Sequence, residues 1–391
     1  MDSRLSRRSM LRAAGAAGLA AAGGLVTRGS ALADEVAAPR MTVLRKEPGT
    51  MAGEIFFTWY GLSGQPFAPN GLEIADAAGT PLWANSSTAL AFFHFQQVRY
   101  RGRTVLAWFQ GSAGSGGGGF AALGPSWVLT ERDHTPITAV GPSGVFVPDL
   151  HEQRMAGPDT ALIASFETIT ADLSGIGGPV DGQLVKSYAN VVDIASGTVL
   201  WRWNSLDHVP LTESYAPAPT SPDRPHDYFH INSISRTPDG HLLVSGRNTS
   251  ALYKVHRSTG EVIWRLGGKS SSFSVPEDAV FGFQHHADFE NPHTIRLFDN
   301  GSSEYATLHP TRVVWLRVDE KRRTVSLADS MSIPGIAQST ALGSAQRLPN
   351  GNVFVDWGRN KRLSEFSPQG RLLFDAMLPS PCYRAFKYAQ C

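Results

Sequence analysis

The chain has 391 residues, 42% of them hydrophobic, with 39 glycines, 25 prolines and nine tryptophans. That apolar share supports a substantial core and excludes disorder, and the glycine and proline content suits many short strands joined by tight turns. The net charge is +1 and no Lys/Arg run is interleaved with aromatics, which argues against nucleic acid as a partner and against a field that would draw in an anionic membrane.

The N-terminus has the pattern of an export signal. Ser6-Arg7-Arg8-Ser9-Met10-Leu11 places paired arginines before an Ala/Gly-rich run over residues 13–26, and Ala31-Leu32-Ala33 puts small residues where a signal peptidase reads them. Residues 1–33 are therefore expected to be a twin-arginine signal peptide, with the twin-arginine export machinery as a partner and a secreted, extracytoplasmic location. The alternative is a basic N-terminus with a short membrane anchor, but a span needs about 20 apolar residues. This run is shorter, and alanine and glycine anchor poorly. No cysteine lies near the cleavage site and no later segment is long enough to span, so no stable membrane anchor is expected. Residues 34–53 read as an N-terminal linker or strand, and residues 54–391 as the main domain.

From Glu54 onward a weak repeat runs to the end. One half is a strand, an Asp/Asn-Gly turn and a second strand, seen best in residues 236–247 (RTPDGHLLVSGR) and 347–358 (RLPNGNVFVDWG). The other half is an apolar strand, a polar turn ending in glycine, and a strand usually carrying an aromatic. Residues 72–83 (LEIADAAGTPLW), 192–201 (VDIASGTVLW), 253–264 (YKVHRSTGEVIW) and 363–374 (LSEFSPQGRLLF) are its copies. Glycine supplies the positive φ of a tight hairpin, and alternating apolar residues bury one face of each strand. A four-stranded unit of this kind cannot bury both faces alone and must stack on its neighbours. The spacing predicts an all-β β-propeller of about six blades, with a β-sandwich as the alternative.

Three stretches fall outside the repeat. Residues 111–119 (GSAGSGGGG) follow a strong strand and lack the strand-to-helix context of a dinucleotide loop, so a mobile surface loop is expected. The proline- and serine-rich residues 207–224 lead into His226, and a loop of that length suits a lid or a binding loop. Gly267-Gly268-Lys269-Ser270 looks like the tail of a phosphate loop, but Ile263 stands where the motif needs glycine.

Four polar positions stand out at the ends of predicted inner strands: His151, His230 with Asn232, Arg247, and His285. In a propeller those strands line the central channel, so residues distant in sequence can converge there, and the active site is expected at the channel. Imidazoles beside one guanidinium suit a small anionic group, because Arg offers a planar fork for two oxygens. A neutral imidazole can also attack an electrophilic centre. The set fits transfer of a sulfuryl or phosphoryl group, whose charge sits on peripheral oxygens. A single histidine at a strand end is more often a turn or capping residue, and Asn232 could simply bond backbone. His286, next to His285, points to the opposite face of a regular strand and reads as structural, while His208, His226, His293 and His309 read as surface or loop residues. Imidazoles can also ligate a metal, but no HExxH or tight His/Asp spacing specifies one, and no metal or cofactor is expected. Cys382 and Cys391 could close a C-terminal disulfide after export or remain free thiols.

The order of motifs carries a resemblance. His230-x-Asn232, then Arg247, then Gly260-Glu261-Val262-Ile263-Trp264-Arg265-Leu266-Gly267-Gly268, Gln284-His285, Leu297-Phe298-Asp299-Asn300-Gly301, and residues 343–352 (GSAQRLPNGN) resemble the arylsulfotransferase (arylsulfate sulfotransferase) family. Ser205-Leu206-Asp207-His208-Val209-Pro210 and Tyr383-Arg384-Ala385-Phe386-Lys387 are similar to its actinomycete and fungal branch. The resemblance implies a six-bladed propeller over residues 54–391. It implies an enzyme that moves a sulfuryl group from a phenolic sulfate ester to a phenolic acceptor without the nucleotide sulfate donor. It further implies His285 as nucleophile through a transient sulfohistidine, Arg247 and Asn232 as holders of the sulfuryl oxygens, and His230 and His151 as charge stabilisers or proton carriers. The larger bacterial members have an extra N-terminal β-domain, for which this chain has little room. A formylglycine sulfatase would need Cys-x-Pro-x-Arg, which Cys382-Tyr383-Arg384 does not match. Two other classes stay open: a non-catalytic extracytoplasmic propeller that binds glycans or proteins, and a quinone-dependent dehydrogenase suggested by the Asp/Ser-x-Gly-x-Val-x-Trp repeats.

Overall fold

The structure, a computed structural model, describes residues 39–60, 70–112 and 124–389. The signal-peptide expectation, most of the glycine-rich stretch and Cys391 lie outside these residues. The described chain is almost entirely β: six antiparallel sheets form a ring, a six-bladed β-propeller as the repeat predicts.

Blades 2 to 5 follow one another in sequence, each running from an inner to an outer strand. Blade 2 contains Leu90–Tyr100, Arg103–Ser112, Ser126–Thr130 and Pro136–Val140. Blade 3 contains Pro148–Met155, Thr160–Ala171, Gly182–Asp193 and Val199–Asn204. Blade 4 contains Ile231–Arg236, Leu242–Gly246, Ala251–Val255 and Val262–Gly267, and blade 5 His285–Asn291, Thr294–Asp299, Arg312–Asp319 and Thr324–Met331. Blade 6 comprises Ser344–Arg347, Val353–Asp356, Arg362–Phe366 and Leu372–Met377. The N-terminal strand Thr42–Lys46 joins it as a fifth, outermost strand.

Blade 1 closes the ring. Its outer three strands, Glu54–Trp59, Asn70–Asp76 and Pro81–Ser87, come from the start of the chain, and its inner strand, Phe386–Tyr388, from the end. Both ends of the described chain are thus sewn into sheets. A buried ion pair adds to the closure: Lys387 Nζ lies 2.7 Å from Glu365 Oε2, and Glu365 Oε1 accepts from the Met51 amide at 2.7 Å. Breaking one partner of such a pair costs about 3–5 kcal/mol, because the other charge is left buried and alone.

Strand alternation explains how the blades pack. On Leu242–Gly246, Leu242 and Val244 join the apolar layer against blade 3, and Leu243 joins the layer against blade 5. On Ala251–Val255, Tyr253 and Leu252 divide in the same way. A strand buried on both faces reads as a continuous apolar run, which is how LLV and ALY read. Each fully buried Leu or Val contributes about 2 kcal/mol of transfer free energy. The turns are those expected from the repeat, with Gly240 at φ +84° and Gly260 at φ +77°.

Residues 207–224 differ from the lid or binding loop expected. Glu213 accepts the Tyr253 hydroxyl at 3.0 Å, the Tyr215 amide donates to Asn248 O at 2.7 Å, and Lys269 Nζ donates to Thr212 O at 3.2 Å. These bonds hold the segment to the side of blade 4, and none of its residues lines either channel cavity. Among the described residues no helix is long and apolar enough to cross a membrane.

Candidate active site

The starts of the inner strands line one cavity of about 710 Å³ at one mouth of the channel, and their ends line a second of about 530 Å³ at the other. His151, His230, Arg247 and His285 all face the first cavity. His151 comes from the inner strand of blade 3, His230 immediately precedes that of blade 4, and His285 opens that of blade 5. Arg247 follows the second strand of blade 4, which corrects the expectation that all four sit on inner strands. It reaches His230 because the Arg247 amide donates to the His230 carbonyl at 3.0 Å, closing the mouth of one hairpin.

A local irregularity recurs at the same level of the ring. In blades 2, 3, 4 and 5 the register between the inner strand and its neighbour shifts, next to His94, between Pro148 and Gln153, between Ile231 and Ser233, and after His285. His94, His230 and His286 have φ of +55°, +56° and +46°. A bulge re-aims side chains, and a left-handed residue that is not glycine carries strain of about 1–3 kcal/mol that surrounding packing must hold. The bulges are how alternating strands deliver polar groups to the axis.

Each of the three imidazoles has its Nδ1 taken. Asp149 holds that of His151, Asp227 holds that of His230 at 2.5 Å, and Asn300 Oδ1 holds that of His285 at 2.7 Å. The His285 Nε2 accepts the Leu342 amide at 3.3 Å, so the neutral ring carries its proton on Nδ1 and its lone pair on Nε2. Burial, and then the positive Arg247, push the His285 pKa well below 6.5, against the Asn300 hydrogen bond. Burial also lowers His230, with Asp227 working against it. For Asp227 itself burial would raise the pKa, but His230, His151 and Arg247 outweigh it and hold the carboxyl below its ordinary value. The His151 and His230 rings meet edge to face, centroids 4.7 Å apart.

Arg247 is buried. Its Nη1 donates to Asn248 Oδ1 at 2.9 Å and Glu304 Oε1 at 3.3 Å, and its Nη2 to Glu304 Oε2 at 2.5 Å and Thr340 O at 2.9 Å. Tyr60, Phe93, Phe166 and Tyr383 give the cavity aromatic walls. The floor comes from the C-terminal segment. The Tyr383 hydroxyl donates to His151 O at 3.0 Å, and Arg384 donates to His151 O at 3.1 Å, Asn232 O at 2.7 Å and Glu152 Oε1 at 3.0 Å.

Asn232 does not line the cavity. It is fully buried, and its Nδ2 donates to the Gln284 carbonyl at 2.6 Å, joining the inner strands of blades 4 and 5 one residue before His285. His286 faces away from His285, lines the opposite cavity and accepts the Ala345 amide at 3.2 Å. His226, expected at the surface, is buried in a bridge to Leu184. Cys382 is a buried free thiol whose Sγ donates to Arg384 O at 3.0 Å. Sequence reasoning gave no role to Asp149, Asp227, Asn300, Glu304, Tyr383 or His94, although Asn300 and Tyr383 stand in motifs that carry the resemblance. The spacings Asp149-x-His151 and Asp227-x-x-His230 were visible signals, whereas Asn300 meets His285 only through strand pairing. Among the described residues no group of His, Cys, Asp and Glu is placed to hold a metal ion.

The family model described as arylsulfotransferase (ASST) matches residues 99–378. No curated protein matches the sequence. Among solved structures, a protein of unknown function from Bacteroides caccae is similar over 87% of this chain and 100% of its own, with TM-score 0.51 and 9% identity, which shows the fold alone. A functionally unknown protein from Desulfotomaculum acetoxidans (TM-score 0.42, 10% identity, 87% of this chain and 99% of that one) and the Neurospora crassa Pan2 WD40 domain (TM-score 0.40, 9% identity, 93% and 84%) are more distant.

Proposed function

The chain belongs to the arylsulfotransferase family, and from that premise we propose that it moves a sulfuryl group from a phenolic sulfate ester to a phenol through a covalent intermediate on His285. One observation carries this reading: a buried imidazole, kept neutral, with its Nδ1 proton held by Asn300, shares a cavity with a guanidinium and two carboxylate-paired imidazoles.

In the first half-reaction the aryl ring lies against the aromatic walls and Arg247 takes sulfuryl oxygens. The His285 Nε2 lone pair leaves the Leu342 amide and attacks sulfur; the N–S bond forms as the S–O(aryl) bond breaks, and that electron pair leaves on the phenolic oxygen. The His151–His230 pair supplies a proton to it, with Asp149 and Asp227 steadying the charge. In the second half the acceptor phenol returns a proton to the same pair and its oxygen attacks sulfur. The N–S bond breaks and its electrons go back to His285. Asn300 fixes the ring and its tautomer throughout, as the third member of a nucleophile triad does. Asn232 acts through the Gln284 backbone as a positioning residue.

We also propose export by the twin-arginine route, on the strength of Arg7-Arg8 and the Ala31-Leu32-Ala33 site. Appearance of the protein outside the cytoplasm, lost on replacing both arginines by lysine, tests that part. The chemistry is tested by incubating the full chain with 4-nitrophenyl sulfate with and without added phenol. Nitrophenol release that depends on the acceptor, with a sulfated acceptor as the second product, is expected. Release that ignores the acceptor would mean hydrolysis, and no release would overturn the reading.

A further inference from the structure

The guanidinium that this reaction needs is already gripped by a carboxylate. Glu304 takes Nη2 and Nη1 of Arg247 with its two oxygens, the bidentate arrangement by which a guanidinium binds any planar pair of oxygens. The other bonds of those two nitrogens go to Asn248 and Thr340, which leaves only the buried Nε–H without a partner, so a sulfuryl oxygen that binds the Nη fork must take the donors that Glu304 uses.

The two partners are unequal in freedom. The Arg247 side chain is 5% exposed and its backbone is tied to His230, whereas the Glu304 side chain is 54% exposed. Glu304 comes from an irregular segment between the strands Thr294–Asp299 and Arg312–Asp319 of blade 5. If one of the two yields, it is the glutamate. Charge points the same way: the cavity wall bears Arg247 and Arg359 against Asp149, Asp227 and Glu304. Glu304 is the carboxylate bonded directly to the Arg247 fork, so its departure is what makes that end of the cavity receptive to an anion.

We propose that Glu304 is a specificity-determining residue, an internal anion that competes with the substrate's sulfuryl group for Arg247. The proposal rests on the transferase reading above. An entering anion must do better than a carboxylate already in place. An aryl carboxylate of the same two-oxygen geometry gains little by exchange, while a sulfate ester brings a third oxygen for neighbouring donors. Return of Glu304 to Arg247 then helps expel the sulfated product. The selected class is thus sulfate esters over carboxylates of the same size.

Calorimetric titration of the full chain with inorganic sulfate, and separately with benzoate, tests this on wild type, E304Q, R247Q and the E304Q/R247Q pair. E304Q should bind sulfate about tenfold more tightly, since a competing charge-assisted bond is worth about that much. Benzoate should gain at least as much, narrowing the preference, and the KM for 4-nitrophenyl sulfate should fall. In the R247Q background the gain should vanish, because nothing is left to compete for. Unchanged or weaker sulfate binding in E304Q would overturn the proposal and make Glu304 a support for Arg247; so would a gain that survives R247Q. Because binding is read apart from turnover, tighter sulfate binding without phenol sulfation would sink only the transferase reading, and transfer without tightening would sink only this one.

Discussion

The two mouths of the channel are built from similar residue types and differ in what those residues are bonded to. One has His151, His230 and His285 with Arg247; the other has His94 and His286 with Arg154, Arg296 and Arg347. At the second mouth these three guanidiniums are tied to carboxylates less exposed than Glu304: Arg154 to Asp288 at 2.7 Å, and Arg296 and Arg347 to Glu290, while Arg99, which also lines it, bonds Thr104. His94 stacks on Phe386 and lies 3.4 Å from Arg384, and His286 spends its Nδ1 on a backbone amide. At the first mouth the carboxylates sit on imidazole Nδ1 atoms, which orients a lone pair, and the arginine's partner is half in solvent. Arg384 and Glu152 separate the two ends. Residue type alone does not make a site; the disposition of the partners does.

The sharpest break between the mouths is at adjacent histidines. His285→Asn should lower transfer by about a thousandfold or more, as loss of a nucleophile does. His286→Asn should leave kcat within a few-fold and instead lower Tm, since it costs a buried hydrogen bond worth about 1–3 kcal/mol. Parallel kinetics and melting curves check both, and similar losses of activity in the two variants would erase the distinction.

The arginines come next. Arg247→Gln should cost about a hundredfold in kcat/KM, the usual scale for removing a donor to a developing oxyanion. Arg347→Gln, at the opposite mouth, leaves Glu290 still paired with Arg296 and should change kcat/KM by less than about twofold.

Smaller effects lie in the pH profile. Burial holds His285 well below 6.5, so the nucleophile stays neutral at pH 7 and the acid limb of kcat/KM should fall below pH 6.5. Asp227→Asn removes a carboxylate that favours the charged His230, so the His230 pKa should move further down and the rate at pH 7 should drop by about tenfold. Stability shows the one property that the mouths share. His94, His285 and His286 all have pKa values pushed down, chiefly by burial. The unfolded chain therefore binds more protons than the folded one as pH drops below about 6.5. The contribution of these three groups should be full above that pH and decline below it, while buried Glu73 and Asp356, pushed up to about 8, act in the opposite sense. The fall in Tm between pH 6 and pH 5 should therefore be smaller in His286→Asn than in the wild type, and an equal fall in both would contradict this.

Much of the architecture was legible because hairpin chemistry is local. Gly79, Gly197, Gly240, Gly260, Gly351 and Gly370 all take positive φ in the turns where the repeat placed them. The ring and the convergence of His151, His230 and His285 followed from inner strands lining an axis. What was hidden depends on register. Asn232 lies in the register shift between Ile231 and Ser233, so the parity that would pair it with His230 fails, and it bonds the Gln284 backbone instead. Asn300 reaches His285 because His285 pairs with Phe298 across the sheet. Tyr383 floors the site, and Arg384 lies between the two cavities, because the three residues Phe386–Tyr388 close blade 1; the motif containing them was visible, but a strand that short does not announce where it goes. Residues 207–224 look like a lid in composition, yet bonds to Tyr253, Asn248 and Lys269 hold them to the blade.

If His285 carries the sulfuryl group, the charged protein bears a covalent mark. Mass spectrometry of the protein after brief exposure to 4-nitrophenyl sulfate without acceptor tests it directly. A gain of about 80 Da is expected on the peptide bearing His285, formed with a burst of one nitrophenol and discharged by added phenol. Transfer that proceeds with no such adduct, or an adduct on His230 or His151 instead, would contradict it.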